Sequence, residues 1–277
     1  MNSLRARQRV RLTLRLVAAL AITVFFLFPI YWLFMISFKT ADEIFSYPPK
    51  WYPGQLQLGN YTVLFKDGDA ATVGHSLIVA GASTLIAMFL GTICAYSLAR
   101  FKTGGEHLPN WIISQRMVPP IAVVFPIFLL YVWLGWVDTY VGVILLYTAF
   151  NLPYVIWMMR GYIADIPIEL EESALVDGCT RWQVIWRVVF PMCRAGLFAT
   201  AIFTFVFAWN EFLFALVLTR TEVGTYTVQV THYFGGQSNF WAKISAMSVL
   251  GTLPIFVVVA FMQRYLVRGI SLGAVKG

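Results

Sequence analysis

Charge is what this sequence has least of. Only 12% of its 277 residues are Asp, Glu, Lys or Arg, while 59% are hydrophobic; a soluble domain carries about 25% charged residues. A water-soluble fold of this size would lack polar groups to cover its surface, so lipid is the expected solvent. Cysteine is sparse too. Cys94, Cys179 and Cys193 form no C-x-x-C pair, and His75, His107 and His232 stand far apart, so no disulfide framework or metal site is readable. Cys94 and Cys179 read as small packing residues. No G-x-x-x-x-G-K-[ST] occurs, which excludes a phosphate cradle of that kind. Nor is there a G-x-S-x-G elbow, an H-E-x-x-H pair or a clustered acid–base set. The chain is expected to catalyse nothing on its own and to hold no metal.

Long apolar runs are what the sequence does have. A membrane-spanning helix needs about 20 mostly apolar residues, and six segments qualify: 14–38, 73–99, 111–135, 139–159, 195–218 and 244–266. The first is too long, and too poor in a small-residue cleavage site, to read as a removed signal peptide. The expected fold is therefore an all-α integral membrane protein of six transmembrane helices, one domain over 1–277. With a cytoplasmic N-terminus, fifteen Lys and Arg residues fall on inside segments, Arg116 among them, and five outside. That bias has the sign that places both termini in the cytoplasm. The formal charge of +7 thus reports topology and gives no support to nucleic-acid binding.

Within the second run, Ser76, Ala80, Ser83, Ala87, Gly91 and Ala95 recur every three or four residues. Such a stripe lets helix backbones approach closely, and a pore lining is the competing reading. Glu211, beside Asn210, is the clear acidic residue inside a run, which makes it a functional candidate by default. Its two readings are a hydrogen bond to a bound polar molecule and a structural hydrogen bond between helices. Asn151, Tyr154 and Trp209 are further candidates for such a site, with plain packing as the alternative. The outer loop 219–243 carries Gly235, Gly236, Gln237, Ser238 and Asn239, a turn with hydrogen-bonding tips. The first outer loop, 39–72, reads as an interfacial cap.

The stretch 165–191 departs from the rest by its charge. Pro167 can open a helix, and Glu169, Glu171 and Glu172 suit its positive N-terminal end. Gly178 fits the left-handed residue that ends it. Thr180 and Gln183 have capping-box spacing for a second helix from Arg181. Trp182, Ile185, Trp186 and Val189 form one apolar stripe, and Pro191 introduces the fifth span. Helices this short need a surface to pack on. The membrane interface and a partner protein both serve.

Glu172-Ser173-Ala174, three residues, Gly178, nine residues, Val188, one residue, Phe190-Pro191 resembles the signature EAA-x3-G-x9-I-x-LP. That signature belongs to permease subunits of binding-protein-dependent ABC importers. Ser173, Val188 and Phe190 depart from it by conservative change. "RMVPPIAVVFPIFLLYVWLGWVDTY", "LPYVIWMMRGY", "WNEFLFALVL" and "GAVKG" are similar to its maltose-type carbohydrate branch. The resemblance implies a coupling hairpin between helices 4 and 5, set in a groove of an ATPase subunit. Glu171, Glu172, Ser173, Ala174, Asp177, Gly178, Thr180, Arg181 and Pro191 would make up that contact. Glu172 would pair with a basic ATPase residue, Gly178 would form the turn and Ala174 would allow close approach. It also implies a homologous second permease, two ATPase copies that bind ATP and Mg in this chain's stead, and an extracytoplasmic solute-binding protein met by loop 235–239. The cargo implied is a sugar or sugar derivative, the location a bacterial inner membrane. An ion-coupled secondary transporter is the rival; it would want several intramembrane carboxylates or paired broken helices near the midplane.

Overall fold

The structure is a computed structural model that describes residues 2–234 and 240–273, with side chains over 11–234 and 240–261. Every regular element among the described residues is helical. The chain divides into two compact units, Met1–Asp69 with Val230–Leu250 and Ala70–Gln229 with Gly251–Gly277.

The first unit opens with α1 (Asn2–Ile36). Its side chains from Arg11 to Tyr31 are all exposed although most are apolar. In water that surface would aggregate; in lipid it meets its own kind. Two short helices follow, α2 (Ala41–Ile44), held by a reciprocal Thr40–Glu43 capping box, and α3 (Gly59–Lys66). Buried Asn60 donates from Nδ2 to the carbonyls of Ser37 (2.9 Å) and Lys39 (3.1 Å), so the chain leaving α1 is fastened rather than frayed. The buried Lys39 ammonium donates to the Lys50 carbonyl and sits 4.4 Å above the Trp32 ring. Burial lowers its pKa, against the opposing pull of Glu43. A folded cap thus occupies the loop after the first span.

The second unit is built on α4 (Ala71–Arg100), which packs chiefly on α7 (Tyr140–Ala164). The six small residues of the α4 stripe are all buried. A Cβ on Gly91 would come within 2.6 Å of Val155 Cγ1, so the backbones meet where a side chain would not fit. The stripe is a helix seam, not a pore lining.

Between α4 and α7 lie α5 (His107–Ser114) and α6 (Pro120–Leu134). The sequence led to one span over 111–135, with Pro119 and Pro120 inside it as a tolerated break. The segment does break there, and the helices on either side, His107–Met117 and Pro120–Leu134, are bent 91° apart. The cause is Pro119-Pro120: each proline disfavours helical backbone in the residue before it, and Val118 and Pro119 are extended at ψ 122° and 126°. After α7 come α8 (Ile168–Val176), α9 (Arg181–Val184), α10 (Phe190–Met192), α11 (Arg194–Trp209) and α12 (Leu213–Leu218). The expected span 195–218 is likewise interrupted at Asn210, Glu211 and Phe212. α13 (Tyr226–His232) and α14 (Phe240–Gly273) complete the chain. At 1.5 Å per residue, the 26 residues of Arg11–Ile36, the 30 of α4, the 25 of α7 and the 22 of Phe240–Phe261 each exceed the ~30 Å of a bilayer core. These four helices are long and apolar enough to cross, and up to six segments are when the bent pairs His107–Met117 with Pro120–Leu134 (91°) and Arg181–Met192 with Arg194–Trp209 (80°) each count as one.

Two apolar clusters organise the second unit. One gathers Val79 and Ala80 of α4, Tyr131 of α6, Tyr147 of α7, Trp209 of α11 and Phe214 of α12. The other joins Ala95 and Tyr96 of α4 and Met159 and Ile163 of α7 to Val184, Ile185 and Val189 beyond α8. At the first end, Asp138, with φ 58°, turns its carboxylate onto the backbone N–H groups of Arg220, Thr221, Glu222 and Val223 at 2.9–3.1 Å. Desolvation pushes the Asp138 carboxyl up, but these four donors outweigh it and hold the pKa below the ordinary value.

Gly91→Ala is expected to lower stability by about 1–3 kcal/mol through overpacking against Val155, read as a reduced Tm of the detergent-solubilised protein. Asp138→Ala removes an acceptor shared by four donors and should also lower the Tm. Because the folded pKa is depressed, that contribution is present above the ordinary carboxylate pKa and fades as pH falls through the folded value. The Tm gap between wild type and Asp138→Ala should therefore shrink on acidification.

Candidate functional site

The hairpin that follows α7 takes its form from local chemistry. α8 ends in a left-handed Gly178, φ 87°. The Gly178 N–H donates to the Leu175 carbonyl (3.1 Å) and the Cys179 N–H to that of Ala174 (3.0 Å), the double bond pattern of a Schellman stop. Two residues on, Thr180 Oγ1 accepts from Gln183 N (3.3 Å) and Gln183 Oε1 from Thr180 N (2.7 Å), so the second helix starts on a complete capping box. That helix then loosens into a π turn over Ile185–Val189. The expected single stripe is split by it. Val184, Ile185 and Val189 are buried against α4 and α7, whereas Trp182 and Trp186 stay exposed. With Phe190 the two tryptophans form a ring ladder at 5.6 and 4.4 Å.

One face of α8 is committed to its own chain. Glu171 is 2% exposed, and both carboxylate oxygens are engaged: Arg100 Nε donates to Oε1 at 2.6 Å and Tyr96 OH to Oε2 at 2.8 Å. Arg100 Nη2 also donates to the Ile166 carbonyl (2.8 Å). The Arg181 guanidinium lies 5.4 Å over the Phe101 ring, so the second hairpin helix is tied to the same end of α4. Glu171, grouped with the outward contacts on resemblance, is thus turned inward. Glu172, Ser173, Asp177, Gly178, Thr180, Arg181 and Pro191 are exposed, and Ala174 is half-buried. Sequence reasoning overlooked Val176. It is 88% exposed at the tip, one turn from Glu172. Its place in the sequence between Glu172 and Asp177, just before the turn at Gly178, was the signal.

The second candidate site lies where α11 stops. Glu211 Oε2 accepts from Tyr147 OH (2.8 Å) and from Ala215 N (3.1 Å), and Oε1 from Phe214 N (3.0 Å). The carboxylate caps the restarted helix α12 and ties it to α7, the structural one of its two readings. Trp209 is buried, donating from Nε1 to the Gly251 carbonyl and stacked on Tyr226 at 5.0 Å. Asn151 is buried and bonded to the Tyr147 carbonyl. Tyr154 is half-buried and Asn210 exposed, so these two keep a free face. Arg116 Nη1 donates to the Phe150 carbonyl, near the middle of α7. Gly235, Gly236, Gln237, Ser238 and Asn239 lie outside the described residues.

Residues 87–272 match the family model described as "Binding-protein-dependent transport system inner membrane component". The chain belongs to this family. Among its relatives, the trehalose/maltose transport system permease protein MalG of Thermococcus litoralis is 30% identical over 270 residues, 95% of this chain and 96% of that one. The sulfoquinovosyl glycerol transport system permease protein SmoH of Agrobacterium fabrum is 33% identical over 267 residues, 95% and 94%. In backbone shape the chain is similar to one in the crystal structure of a bacterial ABC transporter involved in the import of the acidic polysaccharide alginate. The TM-score is 0.77 at 21% identity, covering 93% of this chain and 97% of that chain.

This inner membrane component therefore carries its signature hairpin on a joint with α4. Removing one member of a buried pair costs about 3–5 kcal/mol, because the other charge is left unpaired. Glu171→Gln and Arg100→Gln should each lower the Tm strongly, and the double variant should lose less than the two together. A double-mutant cycle on the purified protein measures that coupling.

Proposed function

We propose that this chain is the permease subunit of an ATP-driven importer for a sugar or sugar derivative, and that the hairpin receives the stroke of a separate ATPase. The reading rests on one observation: an exposed tip of Glu172, Ser173, Val176, Asp177 and Gly178 on a hairpin whose other face is locked to α4 through Glu171, Arg100 and Tyr96. Force on such a tip reaches a spanning helix without dissipating in a loose loop. The relatives whose names include trehalose/maltose and sulfoquinovosyl glycerol transport support the cargo class.

In this reading the chain crosses the bacterial inner membrane six times as one transmembrane domain, the third span bent at Pro119-Pro120 and the fifth formed by α11 and α12 beyond the hairpin, with both termini cytoplasmic. A homologous permease completes the path, and two ATPase copies hold the ATP and Mg. An extracytoplasmic binding protein delivers solute to the outer loops, 235–239 included. Nucleotide and solute must each favour a different state of the path, or no coupling arises. Ion coupling is poorly served, because Glu211, the one carboxylate within the six apolar runs of the sequence, already accepts from three protein donors.

Glu172→Lys tests the docking face. Charge reversal at an interface pair should weaken ATPase association by at least about tenfold and abolish solute-stimulated ATP hydrolysis in proteoliposomes. Unchanged assembly and stimulation would remove the assignment. Glu171→Lys should instead destabilise the permease before any partner is added, which separates the two neighbouring carboxylates.

A further inference from the structure

The break between α5 and α6 holds a cation that the coupling hairpin does not use. Arg116 Nη1 donates to the Phe150 carbonyl at 3.0 Å. Phe150 is ten residues from Tyr140 and fourteen from Ala164, the ends of α7. At 1.5 Å per residue the guanidinium thus lies about 15 Å from one end and about 21 Å from the other. That is mid-depth for a spanning helix, far from the interfaces where lysine and arginine usually end.

Its surroundings are aromatic and open. The guanidinium carbon is 5.1 Å from the Phe207 ring centre and 5.9 Å from that of Tyr154, and the two rings meet edge to face at 5.2 Å. Arg116 and Phe207 are exposed, Tyr154 half-buried, and exposed Asn210, the residue that closes α11, lies three residues beyond Phe207. Beside the break is a cavity of about 500 Å³ lined by Gln115, Val118, Pro126, Ala149, Phe150 and Pro153. Among the described residues no carboxylate pairs with Arg116, and Glu211 is spent on Tyr147, Phe214 and Ala215.

A cation at this depth is expensive unless it faces water or a counter-charge. Aromatic faces recover only part of that cost. A guanidinium offers a fork of donors matched to an oxyanion. We propose that Arg116 is a solute-binding residue at the middle of the transport path, and that the solute is a saccharide bearing an acidic group: a carboxylate, sulfonate or phosphate ester. Tyr154 and Phe207 hold the fork in place, and the sugar's acid supplies the charge the chain omits. This deepens the importer reading above and rests on it.

The test uses the full complex, with its binding protein, in proteoliposomes. The probes are matched disaccharides, each a uronate or sulfonate paired with its neutral counterpart. Wild type should import the acidic member with ATP at least about tenfold better than the neutral one. Arg116→Gln should collapse that ratio at least about tenfold, and Arg116→Lys, which keeps charge but loses the fork, should fall between. The ratio is internal to each preparation, so partial misfolding cancels. A wild-type ratio near one, or a ratio unchanged in Arg116→Gln, overturns the proposal and leaves the importer reading standing. No ATP-dependent uptake of any pair overturns both.

Discussion

A carboxylate buried beside a guanidinium is a poor source of net stability, because desolvating both charges offsets most of their attraction. Its value here is geometric. Glu171 lies on a nine-residue helix too short to hold its own place in water, and Arg100 ends a thirty-residue helix that crosses the membrane. With Tyr96 and the Ile166 carbonyl they satisfy one another at 2.6–2.8 Å. A slip of the hairpin in any direction would strand a buried charge. The apolar contacts of Val184, Ile185 and Val189 would tolerate such a slip, since greasy surfaces slide. The polar joint sets the register, and the exposed tip inherits it.

Lipid as solvent explains the rest of the design. Hydrophobicity cannot pull helices together in a medium as apolar as their side chains, so α4 and α7 meet through small residues and shape, with Gly91 against Val155. Irregular backbone in a span must find partners within the protein. The break after Trp209 does so through Glu211, which accepts the first amides of α12. The break at Pro119-Pro120 needs no such acceptor at those residues, since proline has no N–H to orphan. It is there that Arg116 projects toward α7 and α11.

Much of the site was legible because it is local. The glycine stop, the Thr180–Gln183 box and the small-residue stripe are each decided within a few residues, so their patterns survive in the linear text. The prolines inside the third run marked a break but not its 91° bend, and the break of the fifth run at Asn210, Glu211 and Phe212 left no mark, because hydropathy averages over a window and ignores what one capping carboxylate does to the backbone. The split of the tryptophan stripe came from a π turn, which shifts every later residue around the helix and leaves no compositional mark.

Sequence alone determined that this is a helical membrane protein of the binding-protein-dependent transport family, with a turn at Gly178 and a charged hairpin around it. Those features depend on composition, spacing and short-range hydrogen bonds. Only the tertiary structure decided which of the adjacent Glu171 and Glu172 is internal, and that Arg116 meets α7 near its middle. Neighbours on a helix point about 100° apart, and the fate of each charge is set by a partner distant in the chain. Arg100 is 71 residues from Glu171, and Phe150 is 34 from Arg116.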